Sequence, residues 1–263
     1  MYRRSALAMG LTGVLLAQPR ALGQQITVQW TATCPERLVL GEPVVATLSF
    51  NSSSRTPVTI DLGDGGVRNL MVHISGPGHI DTWIRGPLLG GLQRTGKIGL
   101  PPGGQASERL LLSSWLQFPS PGRYEIELKL LAPAQDPEGR PAGQLEPVHL
   151  SFELEPRNEA ALRAACDRLA NAVLRANSVE ERLFAAHSLA TMDDPVAAQC
   201  IDQVVSNSDR DDPILMPALA RIGTQEAKDV LLAAANSPNA EKRALAENAL
   251  RHWKAREGSA KPQ

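Results

Sequence analysis

The residues in this sequence that could do chemistry are five histidines, three cysteines and several close-set acids. His73, His79 and Asp81 come nearest to a metal cluster, because imidazole and carboxylate are zinc-type ligands and Gly76-Pro77-Gly78 between them would turn the chain back. No cysteine or fourth ligand lies close by, so a partly buried strand histidine is the competing reading. Asp61-Leu62-Gly63-Asp64-Gly65-Gly66 sets acids among glycines, yet lacks the alternating oxygens and late glutamate of a helix-loop-helix calcium site. A turn in which the aspartate caps its own backbone accounts for it. Asp193 and Asp194, then Asp209, Asp211 and Asp212, gather at breaks between helical segments. Helix N-termini attract carboxylates there, and calcium bridging of the loops is the alternative. No phosphate-binding loop, dinucleotide fingerprint or nucleophile elbow occurs. The expectation is no catalytic residue, no cofactor and no resident metal.

Four side chains suit recognition instead. Trp83 and Trp115 lie near Gly/Pro-rich stretches, where an exposed indole contacts ligands and a buried one fills core. Arg182 and Arg243 recur in equivalent positions of a repeated pattern and could meet a partner's carboxylates, or pair structurally with neighbouring acids and helix ends. Of the three cysteines, Cys166 and Cys200 are the pair expected to share a domain, either bridged or as buried apolar thiols, and Cys34 stands apart.

These side chains need elements to place them. A chain of 263 residues, 43% apolar, has material for two ordinary cores and is unlike a disordered chain. Residues 1–23 read as a secretory signal: Arg3 and Arg4 precede a short apolar run, and Ala21-Leu22-Gly23 offers small residues for cleavage. An amphipathic first helix is the alternative, disfavoured by Gly10, Gly13 and Pro19. Cleavage would move the formal net charge from −1 to about −4, since three arginines and no acid leave. That balance speaks against nucleic acid as a partner. No transmembrane segment is expected in the mature chain, because no long charge-free apolar run is present.

Residues 24–156 carry period-two alternation in seven segments, such as Val45-Ala46-Thr47-Leu48-Ser49-Phe50 and Tyr124-Glu125-Ile126-Glu127-Leu128-Lys129-Leu130. Proline and glycine clusters separate them and end each ladder. An antiparallel β-sandwich follows, with a barrel as runner-up. The stretch from Gly41-Glu42-Pro43-Val44 to Pro121-Gly122-Arg123-Tyr124-Glu125-Ile126 resembles the immunoglobulin-like (Ig-like) sandwiches of bacterial exported proteins. The resemblance implies a fold and carries no function.

From residue 157 to 257 the period becomes 3.6 and alanine and leucine dominate. Helices are expected over 158–177, 179–192, 195–207, 212–222, 225–236 and 239–253, with a kink or late start in the fourth from Pro213 and Pro217. Residues 258–263 would form a frayed tail. Leu189-Ala190-x-Met192 returns 30 residues later as Leu219-Ala220-x-Ile222. Glu181-Arg182-x-x-Ala185-x-x-x-Leu189 returns 61 residues later around Arg243. The strings from Val179 to Leu189 and from Ala240 to Leu250 resemble the first helix of short HEAT-type repeats. This resemblance implies a short α-solenoid of HEAT-like helix pairs that binds a protein partner.

The sequence thus predicts a two-domain β + α protein that is exported to the periplasm or beyond. Its expected role is a non-catalytic interaction or scaffold protein of the cell envelope. The first alternative is a ligand-binding or inhibitory sandwich recognising a sugar, peptide or protease through its loops. A metal-dependent enzyme using His73, His79 and Asp81 is the second.

Overall fold

The computed structural model describes residues 28–63, 67–86, 96–208 and 213–259, with side chains to Lys254. The proposed signal, Asp64 to Gly66, and Asp209, Asp211 and Asp212 lie outside the described residues. The N-terminal half is built from strands in three sheets. β1 (Val28–Thr33), β3 (Val45–Ser52) and β8 (Gln105–Leu111) form one, in the order β1-β3-β8. A second runs β11-β10-β4-β7, from β4 (Val58–Asp61), β7 (Lys97–Leu100), β10 (Ala134–Gln135) and β11 (Pro141–Gly143). The third runs β2-β12-β9-β5-β6, from β2 (Arg37–Val39), β5 (Leu70–Gly76), β6 (Ile80–Arg85), β9 (Gly122–Leu130) and β12 (Val148–Glu155). Pairing is antiparallel throughout except between β12 and β2, where Leu154 stands opposite Leu38 in parallel register.

Within the described residues, each of the seven alternating segments overlaps a strand. β2, β6, β7, β10 and β11 were not read from the sequence. β6 is a sheet edge with no fully buried residue, so burial imposes no alternation on it. The other four span two to four residues, too short for a period to show. A 3-10 turn at Leu112–Ser114 follows β8. Leu112 begins that turn and is buried.

Alternate residues of all three sheets enter one core that includes Leu48 and Phe50, Ile60 and Leu100, and Ile74, Ile126 and Leu128. Burying each such side chain contributes about 1.5–3 kcal/mol. The Trp30 and Phe50 rings stack 5.7 Å apart. Tyr124 stacks on Phe152 and takes the edge of Phe118. Gly76 is required beside it, because a Cβ there would fall 2.4 Å from a ring carbon of Tyr124. The buried phenol donates from its hydroxyl to the Ser120 carbonyl at 2.8 Å, tying the start of β9 to the turn before it. Tyr124→Phe should therefore cost about 1 kcal/mol in urea unfolding, the net value of one partly buried hydrogen bond. An unchanged midpoint would show that the tie contributes nothing.

Among the described residues, six helices make the C-terminal half: α1 (Glu159–Arg175), α2 (Val179–Ala190), α3 (Val196–Asn207), α4 (Leu215–Ile222), α5 (Gln225–Ala235) and α6 (Ala240–Ser259). Asn158, Ser178 and Thr224 cap α1, α2 and α5 by accepting from backbone N–H groups three residues on. α4 starts at Leu215, three residues later than the spacing suggested, which places Pro217 in its first turn. Proline is tolerated there because first-turn N–H groups have no partner within the helix. α6 continues to Ser259, so the helix enters the stretch read as a tail from residue 258. The helices bury Leu162, Ala186, Leu189, Ile201, Leu219 and Leu231 in a second core. Val39 of β2 belongs to that core as well, and Gly41 lies against Leu162, so the halves meet through side chains as well as through the link at residues 156–158.

Candidate functional site

Among the described residues, recesses lie where the halves meet, and two of them flank a single contact. Arg109 points outward from β8, an unburied position of the period-two pattern, and its guanidinium lies 4.0 Å from the centre of the Phe184 ring on α2. A guanidinium over an aromatic face is held by the ring's quadrupole. This contact stands between the two spaces. On one side a cleft of about 520 Å3 is lined by Glu42, Arg109, Arg168, Arg175, Glu181 and Phe184. Arg168 donates to Glu42 at 3.2 Å across the halves. On the other side a cleft of about 880 Å3 runs between strands β7 and β8 and the start of α2. Leu62, Val67, Ile98 and Leu110 give it apolar walls, and Val179 at its rim is 55% exposed. An apolar concave wall with a few charged groups at its edge has the general make-up of a ligand pocket.

The sequence did not single out Arg109, Phe184, Arg168 or Glu42. Each sits in an ordinary pattern position, and only packing of β8 against α2 brings the first two together. Arg182 and Arg243, which the repeat did single out, are half-buried. Arg243 donates to the Ser237 carbonyl at 2.9 Å, closing the link between α5 and α6. That is the structural duty weighed against partner binding.

The β5–β6 hairpin brings part of the proposed metal cluster together. His73 Nε2 and Asp81 Oδ1 are 2.7 Å apart, and His73 stands opposite Trp83 in the register, their rings 4.9 Å apart. His79 occupies the connecting turn with a positive φ of 62°. Among the described residues no group of three or more His, Cys, Asp or Glu side chains is placed to hold a metal ion. Trp83 is 46% exposed on this edge of the sheet. Trp115 packs partly buried on the β core and lines a third recess beside α4.

Asp61 accepts from the Gly63 N–H at 2.8 Å, the self-capped turn read from the sequence. Asp193 pairs with Arg221 at 3.1 Å, and Asp194 with Arg157 at 2.6 Å. Cys166 and Cys200 are buried free thiols on α1 and α3, while Cys34 lies half-buried in the β half. No described helix is long and apolar enough to cross a membrane.

Neither the family models nor the curated proteins include a match to this chain. Among solved structures, the chain is similar to the CARDB domain of a Pyrococcus furiosus protein in complex with di-metal ions. Identity is 11% over 50% of this chain and 97% of that one, at a TM-score of 0.29. An alkylpurine DNA glycosylase from Pseudomonas fluorescens is 16% identical over 49% of this chain and 30% of its own, at 0.25. A β-glucosidase from Listeria innocua is 10% identical over 49% of this chain and 16% of its own, at 0.29. Likenesses at this level leave the fold to be read from the chain's own strands and helices.

Proposed function

We propose that this protein is a non-catalytic interaction module of the cell envelope, exported by its first 23 residues. In this reading an Ig-like β-sandwich and a short HEAT-type α-solenoid jointly clasp an extended segment of a protein partner. One observation carries the reading: the divided cleft at the junction, with Arg109 over Phe184 between its parts. Its apolar wall would take alternate side chains of the segment, and Arg109, Arg168 and Arg175 would favour an acidic residue on it. The Tyr124 tie to Ser120 supports the Ig-like assignment, since such sandwiches use a tyrosine at this corner to bond back to backbone just upstream.

The test places a photo-crosslinking amino acid at Val179 in the full chain and irradiates cells. An adduct with an envelope protein is expected, reduced about tenfold by Arg109→Glu, since loss of a charge-assisted pair is worth about 1.5–3 kcal/mol. The protein recovered from that fraction should begin at Gln24 by intact mass. An adduct unaffected by Arg109→Glu in a folded variant, or none, defeats the reading. The exposure of Trp83 beside His73 and Asp81 favours a second one, ligand recognition by the sandwich edge. A crosslinker at Trp83 that captures a partner while Val179 stays silent would select it.

A further inference from the structure

One edge of the β2-β12-β9-β5-β6 sheet is strand β6, and among the described residues no strand lies beyond it. The Gly86 N–H donates to the Leu70 carbonyl at 2.7 Å, and the register sets Val72 opposite Ile84 and Ile74 opposite Thr82. These are the hydrogen-bonded pairs of the β5–β6 ladder, because bonded and non-bonded pairs alternate along antiparallel strands. The backbone N–H and C=O groups of Asp81, Trp83 and Arg85 therefore point away from β5, out of the sheet. Their side chains share the outer face of the sheet and all three are exposed, Trp83 by 46%. We infer that β6 pairs antiparallel with β6 of a second copy of this chain, the two-fold axis passing at Trp83.

An edge strand is a template for another strand, and charges along it normally keep other strands away. Here the charges admit one occupant in one register. With Trp83 opposite the second copy's Trp83, Asp81 falls opposite the second copy's Arg85 and Arg85 opposite its Asp81. Each of these pairs exchanges both backbone hydrogen bonds, since all three residues present their N–H and C=O groups outward. Opposite charges directly across a ladder stabilise it and like charges destabilise it. An axis at Asp81 sets acid against acid, and one at Arg85 sets arginine against arginine. An axis at Thr82 faces Asp81 with Trp83, and one at Ile84 faces Arg85 with Trp83, so neither matches the charges. Asp81 meets His73 through Oδ1, and Arg85 donates from Nε to the Arg68 carbonyl. Asp81 Oδ2 and the terminal guanidinium nitrogens of Arg85 serve the new pair. The two indoles meet at the axis, where an aromatic cross-strand pair adds to the ladder. A strand of an unrelated protein gains the backbone bonds alone, whereas a second copy brings both counter-charges. The pairing is independent of the junction clefts.

Sedimentation equilibrium of the full-length protein across the micromolar range should show a monomer–dimer equilibrium. Asp81→Arg and Arg85→Asp should each raise the dissociation constant about tenfold, since two opposite-charge pairs become two like-charge pairs. Mixing the two variants should restore dimer of the parental strength, because each reversal then meets its complement on the other chain. Hydrogen exchange of the unsubstituted chain gives a second reading that stands even if either variant fails to fold. The amides of Asp81, Trp83 and Arg85 should gain protection as concentration rises, while those of Thr82 and Ile84, already bonded to β5, should keep theirs. A monomer at every concentration, a dimer that neither reversal weakens or mixing does not restore, or protection gained only away from β6 would overturn the pairing.

Discussion

Phe50→Ala is expected to lower the unfolding free energy by about 3–5 kcal/mol, the range for truncating a buried phenylalanine. Phe50 is 0% exposed and packs where the three sheets share one core. Its loss removes the stacking partner of Trp30 and leaves a void that the surrounding strands cannot close, being hydrogen-bonded on both sides of β3. Urea unfolding followed by tryptophan emission measures the change. Because the helical core is a separate cluster, the far-UV helical signal should persist to higher urea than the emission change in this variant. A loss under about 1 kcal/mol would mean that the sheets do not depend on a common core.

Asp194→Ala should cost about 2–4 kcal/mol, because one side chain has two tasks. Asp194 is 8% exposed, accepts from Arg157 at 2.6 Å and 3.0 Å, and also accepts from the N–H of Val196, the first residue of α3, at 3.0 Å. Removing it strands the guanidinium that ties the link after β12 to the turn between α2 and α3. Arg157 is partly exposed and screened by water, so the buried bond from the Val196 N–H is the larger share. Asp194→Asn keeps the acceptor for Val196 and should recover roughly half of the loss. Burial acts to raise the Asp194 carboxyl, yet the hydrogen bonds from Arg157 and Val196 and the Arg157 charge outweigh it and hold the carboxyl below the ordinary range. A folded value below the unfolded value of about 3.9 means that the contribution is complete above that pH and is lost as pH falls through the lowered folded value. Thermal melts of the parent and Asp194→Asn at pH 7 and 5 should keep a constant gap that narrows below about pH 4. A gap that narrows already between pH 7 and 5 would place the effect on another group.

Local rules made several parts of the protein legible. Asn158 was readable as a cap because asparagine just before a 3.6-period run has an acceptor at the right distance for the third N–H. The late start of α4 follows from Pro213 and Pro217, whose rings and missing donors act on their own backbone. β6 was hidden for the converse reason: pairing to β5 defines it, and no buried face marks it. The His73–Asp81 pair was half legible, since the two residues were named together but their bonding needed the register of the hairpin.

What the sequence determined alone is the alternation that makes strands before Pro156, the helical period after it, and the caps and breaks between helices. Those depend on neighbours within a few residues. Only the tertiary structure decided that Arg109 meets Phe184, that Arg168 reaches Glu42, that Val39 joins the helical core, and that Cys200 reaches Asp167. Each of these contacts joins distant parts of the chain, and its formation depends on how whole elements pack, which no local pattern of residue types encodes.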